Sequence, residues 1–272
     1  MILVTGANGN LGSATLAALR ARGIAATGGS RTPGEGMRRL DFDDPASLDL
    51  AGVSALVLVS AGYAEDDQVV RRHAAVLEAA VRHGVGHVVY TSLTGAGDHL
   101  GFALAHRATE RLVRASGLPW TILRNGLYAE LFGGLLMWAG PAGDALESPF
   151  GDGALAAVAR ADLAEAAALV AADPARYDGR VLDLVGTPVT AGQVAGRLGV
   201  PHRTIGLGEY RRRLLEEVPG LLPFQPPMLA SIATGVRHGF LDGSGPGLTD
   251  LLARPARDPL DVAAAAARAT RP

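Results

Sequence analysis

The stretch VTGANGNLGSATLAAL sets Gly6, Gly9 and Gly12 between a short apolar run and a helical pattern. Glycines allow a sharp turn and a close approach of backbone to a pyrophosphate. The N–H groups and positive dipole end of the following helix then face the anion. The spacing is G-x-x-G-x-x-G rather than G-x-G-x-x-G, and three glycines also suit a turn that merely closes a βα unit. Their place, directly after a buried strand and opening a helix, is what marks a dinucleotide site.

The next short strand ends in TGGSRTPG. An NAD-binding chain usually carries an acid there for the ribose 2′-hydroxyl; this one has Ser30 and Arg31. A guanidinium suits a 2′-phosphate, so the expected cofactor is NADP(H). In LDFDD, Asp41 and Phe42 are placed to edge the adenine, while Asp44 is expected to cap a helix begun by Pro45.

The elements that must hold these residues are legible as alternation. Segments 2–6, 24–28, 55–60, 87–92, 120–124 and 181–185 read as short buried strands. Leu11, Ala14, Leu16 and Leu19 share one helical face before Gly23, and Val69, His73, Val76, Leu77 and Ala80 another before Gly84. Strands separated by helices predict an α/β fold of the Rossmann type, a doubly wound parallel sheet covered on both faces. After about residue 125 Gly and Pro break the pattern. Residues 1–125 plus 154–185 are therefore expected to form the nucleotide-binding domain, and 126–153 plus 186–272 a smaller, mainly helical substrate lobe. The final DVAAAAARATRP reads as a surface helix that frays.

Composition excludes several classes. The 272 residues carry a net charge of −2, which advertises neither a nucleic-acid nor an anionic-membrane partner. Cysteine is absent, so thiol catalysis and Cys-ligated zinc are out. No basic segment precedes the first apolar run and no 18-residue apolar run follows, so a cytoplasmic location is expected. His83 and His87 flank glycines, not one helical face, and no metal site is expected. Arg211 to Arg213, on a helix with Glu216 and Glu217, read as a solvated face.

With VTGANGNLG, HVVYTSL, LAHRATERLVRASGLPWTILRNGLYAELF and GDGALAAVARADLAEAAA in view, the chain resembles the NmrA-like branch of atypical short-chain dehydrogenases. Within it, the similarity is greatest to bacterial NAD(P)H:quinone oxidoreductases and triphenylmethane reductases. The resemblance implies pyrophosphate contacts from the backbone of Ala7, Asn8, Asn10 and Leu11, and a 2′-phosphate contact from Arg31. It implies that Val59, Ser60, Ala61 and Gly62 lie along the ribose, with Thr91, Ser92 and Asn125 near the nicotinamide. Tyr63, Tyr128, Phe132, Met137 and Trp138 become candidates for the substrate pocket; for the last three, ordinary lobe packing is the alternative.

One departure bears on the chemistry. Typical short-chain dehydrogenases carry Tyr-x-x-x-Lys on a helix; here Phe102 and His106 stand at those places, and the chain contains no Lys. Phe cannot transfer a proton, which disfavours alcohol–ketone interconversion. A quinone is an easier hydride acceptor, because its reduced form is a stabilised phenolate-like anion that water or a weak acid can protonate. His106, as ribose contact or proton relay, and Tyr128, as the other hydroxyl donor in reach, are the catalytic candidates. The resulting expectation is NADPH-dependent hydride transfer, without flavin, to a small quinone-like or conjugated aromatic acceptor; a homodimer is compatible with it. Two other readings fit the same residues: a non-catalytic NADP-binding redox sensor, and a tailoring reductase of polycyclic natural products.

Overall fold

The computed structural model describes residues 1–61, 64–138, 141–142 and 144–270. The first part of the chain alternates as expected: β1 (Ile2–Val4), α1 (Asn10–Ala21), β2 (Ala26–Ser30), β3 (Arg38–Arg39), β4 (Ala55–Val59), α2 (Asp66–Arg82), β5 (Val88–Leu93), α3 (Ala103–Ala115) and β6 (Trp120–Asn125). There follow α4 (Ala129–Trp138), β7 (Pro141–Ala142), β8 (Ala145–Ser148), β9 (Ala154–Ala157), α5 (Arg160–Ala172) and β10 (Arg180–Leu184). The last part holds β11 (Thr187–Thr190), α6 (Ala191–Leu198), β12 (His202–Thr204), α7 (Leu207–Glu216), α8 (Gln225–Arg237), α9 (Gly247–Leu252) and α10 (Pro259–Thr270).

Seven strands form one sheet in the order β10-β6-β5-β4-β1-β2-β3, with every pairing parallel. The winding direction reverses between β1 and β4, which opens a crevice beyond their carboxyl ends, where such folds bind ligands. Residues alternate across the sheet as the two-residue period demands. Val4, Val57, Val89 and Leu123 pack under α1 and α5, while Leu3, Leu56, Leu58, Tyr90 and Ile122 face α2 and α3. The Rossmann-type architecture expected from the alternation is the one observed.

Several expectations need correction. β2 begins at Ala26, two residues later than its apolar run, and Asp44 caps only a short 3-10 turn, Pro45–Ser47, accepting from the Ala46 N–H at 3.3 Å. Two elements also cross the expected lobe boundary. β9 pairs antiparallel with β11, and its Leu155 and Ala157 join the lobe core; α9 carries Leu248 and Leu252 back into the core beneath α5.

The final helix is not a fraying surface element. On α10, Ala263, Ala264 and Ala267 are fully buried against α4. The contact is close because both sides are small: a Cβ on Gly133 would lie 2.2 Å from the Ala263 carbonyl oxygen. A run of alanines that looks unpartnered in sequence is thus a packing face fitted to a glycine. Arg213 likewise is more than a solvated charge, since its Nη2 reaches the buried Glu147 on β8 at 2.9 Å.

Candidate functional site

The crevice is built from the turn between β1 and α1. Gly6 has φ +59°, a left-handed conformation that favours glycine. Gly12 lies where a Cβ would sit 2.3 Å from the Gly6 carbonyl oxygen, so helix and turn touch backbone to backbone. Gly9 is the N-cap of α1, where a Cβ would meet only the Gly6 carbonyl oxygen, at 3.2 Å. Ala7 and Leu11 are buried, whereas Asn8, Gly9 and Asn10 are exposed at the helix start. Asn8 Nδ2 donates to the Thr32 carbonyl at 2.8 Å, tying this turn to the loop after β2. That loop holds Ser30, half-buried, and Arg31, exposed. Asp41 is turned inward on its own loop, its Oδ1 accepting from Asp43 N–H at 3.1 Å, and Phe42 packs partly against the core on the α2 side.

The opposite wall is the end of β4, where three successive backbone N–H groups are each held by a side chain from another element. Val59 N–H donates to Thr5 Oγ1 at 2.9 Å, Ser60 N–H to Thr91 Oγ1 at 3.1 Å, and Ala61 N–H to His73 Nε2 at 2.9 Å. Their amides therefore serve the scaffold, and any contact to a ribose falls to other atoms of this segment. Gly62 and Tyr63 lie outside the described residues.

At the floor, Asn125 ends β6. It is buried, and its Oδ1 has no hydrogen-bond partner among the described residues. An orphaned buried acceptor costs stability unless a donor completes it, and an amide N–H of a bound group fits that need. Ser92, placed near the nicotinamide by resemblance, instead donates its hydroxyl to Glu110 Oε1 at 2.7 Å. Glu110 also accepts from Arg107 Nη1 at 2.7 Å and from Arg124 Nε and Nη2 at 2.9 and 2.8 Å. Burial alone would raise this carboxyl; hydrogen bonds from Arg124 and Ser92, with the charges of Arg107 and Arg124, outweigh it and hold the group below the usual carboxylate range. Arg107 in turn donates to the Leu93 and Thr94 carbonyls, fixing the loop after β5.

Phe102 is the N-cap residue of α3, and its ring lies 6.4 Å from that of His106. His106 Nδ1 is 3.0 Å from the Tyr90 hydroxyl. Lost hydration around the imidazole, with repulsion from Arg107, lowers the His106 pKa to about 4, so the ring is neutral at pH 7. Tyr128, just beyond β6, is half-buried beneath the Arg160 guanidinium, whose Cζ is 5.0 Å from the ring centroid. Met137 is half-buried and Trp138 is 37% exposed. Phe132 is a correction: it is fully buried 5.1 Å from Phe150 in the lobe core and offers no open surface to a substrate.

Sequence reasoning missed His73, Tyr90, Glu110 and Arg160. His73 counted only as one position in an apolar stripe, and a polar group there was itself a signal. Among the described residues no group of side chains could hold a metal ion.

Comparison with known proteins agrees with this geometry. A family model described as NAD(P)H-binding matches residues 6–174. Quinone oxidoreductase 2 of Escherichia coli is 32% identical over 94% of each chain. The Citrobacter sp. triphenylmethane reductase complexed with NADP(H) superposes with a TM-score of 0.86 at 26% identity, covering 98% of this chain and 100% of that one. The NADPH complex of an Escherichia coli NADPH-dependent quinone oxidoreductase gives 0.84 at 29% identity, covering 97% and 99%. With the family model spanning more than half of the sequence and a relative 32% identical over nearly its whole length, the chain belongs to the NAD(P)H-binding family of oxidoreductases.

Proposed function

We propose that the chain is an NADPH-dependent reductase that transfers hydride directly to a quinone-like or conjugated aromatic acceptor. The observation that carries this reading is the pair on α3: where a proton-donating phenol and a cation would assist ketone reduction, Phe102 and a neutral His106 stand. Such a site suits an acceptor whose reduced form is already a stabilised anion.

When bound, the reduced nicotinamide supplies the hydride. The chain's residues then bind, orient and exclude water. The α1 N-terminus and its glycine turn receive the pyrophosphate. Arg31 answers the 2′-phosphate, and Asn125 Oδ1 takes an N–H of the carboxamide. Tyr128 orients the acceptor or returns a proton to it, and His106 contacts the nucleotide ribose or relays that proton. Phe102, Met137 and Trp138 line the apolar side, with Phe132 as support beneath them. A small-molecule substrate fits this crevice, and the net charge of −2 argues against nucleic acid. No helix among the described residues is long and apolar enough to cross a membrane.

The test is NADPH consumption, followed at the nicotinamide absorbance band, across quinones, unactivated ketones and secondary alcohols with NADP⁺. Turnover is expected with quinones and little with ketones or alcohols. Tight NADPH binding with no acceptor-dependent oxidation would instead mark a sensor, and robust alcohol oxidation would mean another acid replaces the missing tyrosine.

A further inference from the structure

Behind the β4 wall, two buried groups remain without a role in that chemistry, His73 and Tyr90. Both are fully buried. The hydrogen bonds of His73 have definite directions. Ala61 N–H can only donate, so His73 Nε2 accepts and carries no proton. The neutral ring then holds its proton on Nδ1, which donates to Thr109 Oγ1 at 2.8 Å; Thr109 passes its own proton to the Ala105 carbonyl at 2.8 Å. Thr109 and Ala105 flank His106 on α3.

Tyr90 lies between the two imidazoles, its ring centroid 5.6 Å from His73 and 6.2 Å from His106. A buried phenol must donate its proton to an acceptor. The hydroxyls of Thr109 and Ser60 are close enough to influence its charge, but Thr109 already accepts from His73 and donates to Ala105. The bond with hydrogen-bond geometry is the one to His106 Nδ1 at 3.0 Å. A phenol that donates to Nδ1 leaves the neutral imidazole one place for its proton, Nε2. His106 Nε2 has no hydrogen-bond partner among the described residues, and the residue is half-buried rather than enclosed in the core.

We propose that Tyr90 is a positioning residue that fixes the ring tautomer of His106, so that His106 offers a neutral Nε2–H donor to the bound nucleotide. The proposal rests on reading the crevice as the NADPH site, and it does not depend on which acceptor is reduced. The groups around His106 are consistent with a neutral donor: Tyr90 from β5, His73 from α2, Asp66 at the start of α2 beside Ala105, and Arg107 and Glu110 from α3. Arg107 disfavours the imidazolium, and its ion pair with Glu110 blunts the carboxylate that would favour it.

The direct test is a long-range ¹H–¹⁵N correlation spectrum of the uniformly labelled full chain at neutral pH without cofactor, with His106→Gln assigning the resonances. The expected spectrum shows His106 with an unprotonated Nδ1 and a protonated Nε2. Tyr90→Phe keeps the ring and removes only the hydroxyl; it should give a tautomer mixture and weaken NADPH binding several-fold in calorimetry. His106→Gln, which restores an N–H donor, should bind NADPH more tightly than His106→Ala. A proton on Nδ1 or on both nitrogens in the unaltered chain, an unchanged tautomer in Tyr90→Phe, or unchanged NADPH affinity in that variant would each overturn the proposal. None of these readouts uses an acceptor, so failure of quinone turnover would leave this result standing on its own.

Discussion

The Arg160 guanidinium covers the face of Tyr128, with Cζ 5.0 Å from the ring centroid, while its own backbone N–H is held by both carboxylate oxygens of Glu130 at 3.2 Å. A cation in the first turn of α5 opposes the helix dipole, so this placement carries a cost that the contact with Tyr128 must offset. The positive charge also favours electron density on the phenol oxygen and on any anion formed beside it. Arg160→Met keeps the stem and removes the charge. It should lower kcat for quinone reduction by about 0.5–2 kcal/mol of transition-state stabilisation, the usual range for such contacts. In a Tyr128→Phe background the same substitution should cost clearly less, which a double-mutant cycle in steady-state kinetics would measure.

The strands and the glycine turn after β1 were legible because local rules determine them: short apolar runs, and glycines at a strand–helix junction. The capping box Thr190–Gln193 that opens α6 was also written plainly, as Thr three residues before Gln, yet the strand β11 preceding it was not. What could not be read was whatever depends on a distant partner. The Ala-rich tail becomes core only because Gly133, more than a hundred residues away, leaves room for it. Ser92 is identical in sequence whether it faces a cofactor or Glu110; the side of β5 on which α3 docks decides between them. Phe132 and Trp138 share α4, and only packing tells the buried one from the exposed one.

Glu110 should be the most costly polar residue to remove. It is 2% exposed and compensates Arg107 and Arg124, with Arg114 at 3.5 Å. Glu110→Ala takes the carboxylate partner from the part-buried Arg124 and leaves Arg107 paired with the exposed Asp98, a loss below the ~3–5 kcal/mol of breaking a fully buried pair. Chemical denaturation would measure it. Because Arg107 also pins the Leu93 and Thr94 carbonyls, the variant should lose NADPH affinity even where it remains folded.

Stability should fall on mild acidification, and histidines set the window. Burial lowers the His73 pKa to about 3 and that of His106 to about 4, while His87 and His202 are also lowered, chiefly by burial. In the unfolded chain these rings titrate near 6.5, so as pH drops below that value the unfolded state takes up protons that the folded state refuses. Stability is therefore full above about pH 6.5 and declines from there toward pH 4, by at most about 1.4 kcal/mol per pH unit for each fully coupled ring. Urea unfolding at pH 7.5, 6.5 and 5.5 would show it, and His106→Gln should flatten the slope. The same low pKa means that kcat/KM should show no histidine step near pH 6.5.

Cofactor choice should rest on Arg31. Its neighbour Asp43 is engaged by Arg72, through Nε at 2.9 Å and Nη2 at 2.6 Å, and that bond chiefly holds the Asp43 carboxyl low. Arg31 contributes only the weakest of the charges acting on Asp43, so its guanidinium is not committed there. The loop beneath it is anchored by Asn8 to Thr32, which places the cation near the phosphate turn without freezing its side chain. Arg31→Ala should then weaken NADPH binding by about 1.5–3 kcal/mol, the loss of a charge-assisted contact, and leave NADH binding nearly unchanged. Gly9→Val provides the contrast. A branched side chain at the α1 N-cap would occupy the approach of the pyrophosphate common to both nucleotides, so both affinities should collapse together. Calorimetry with the two cofactors separates the cases: equal losses in Arg31→Ala would show that the 2′ position is read elsewhere, and intact binding in Gly9→Val would remove the pyrophosphate from this turn.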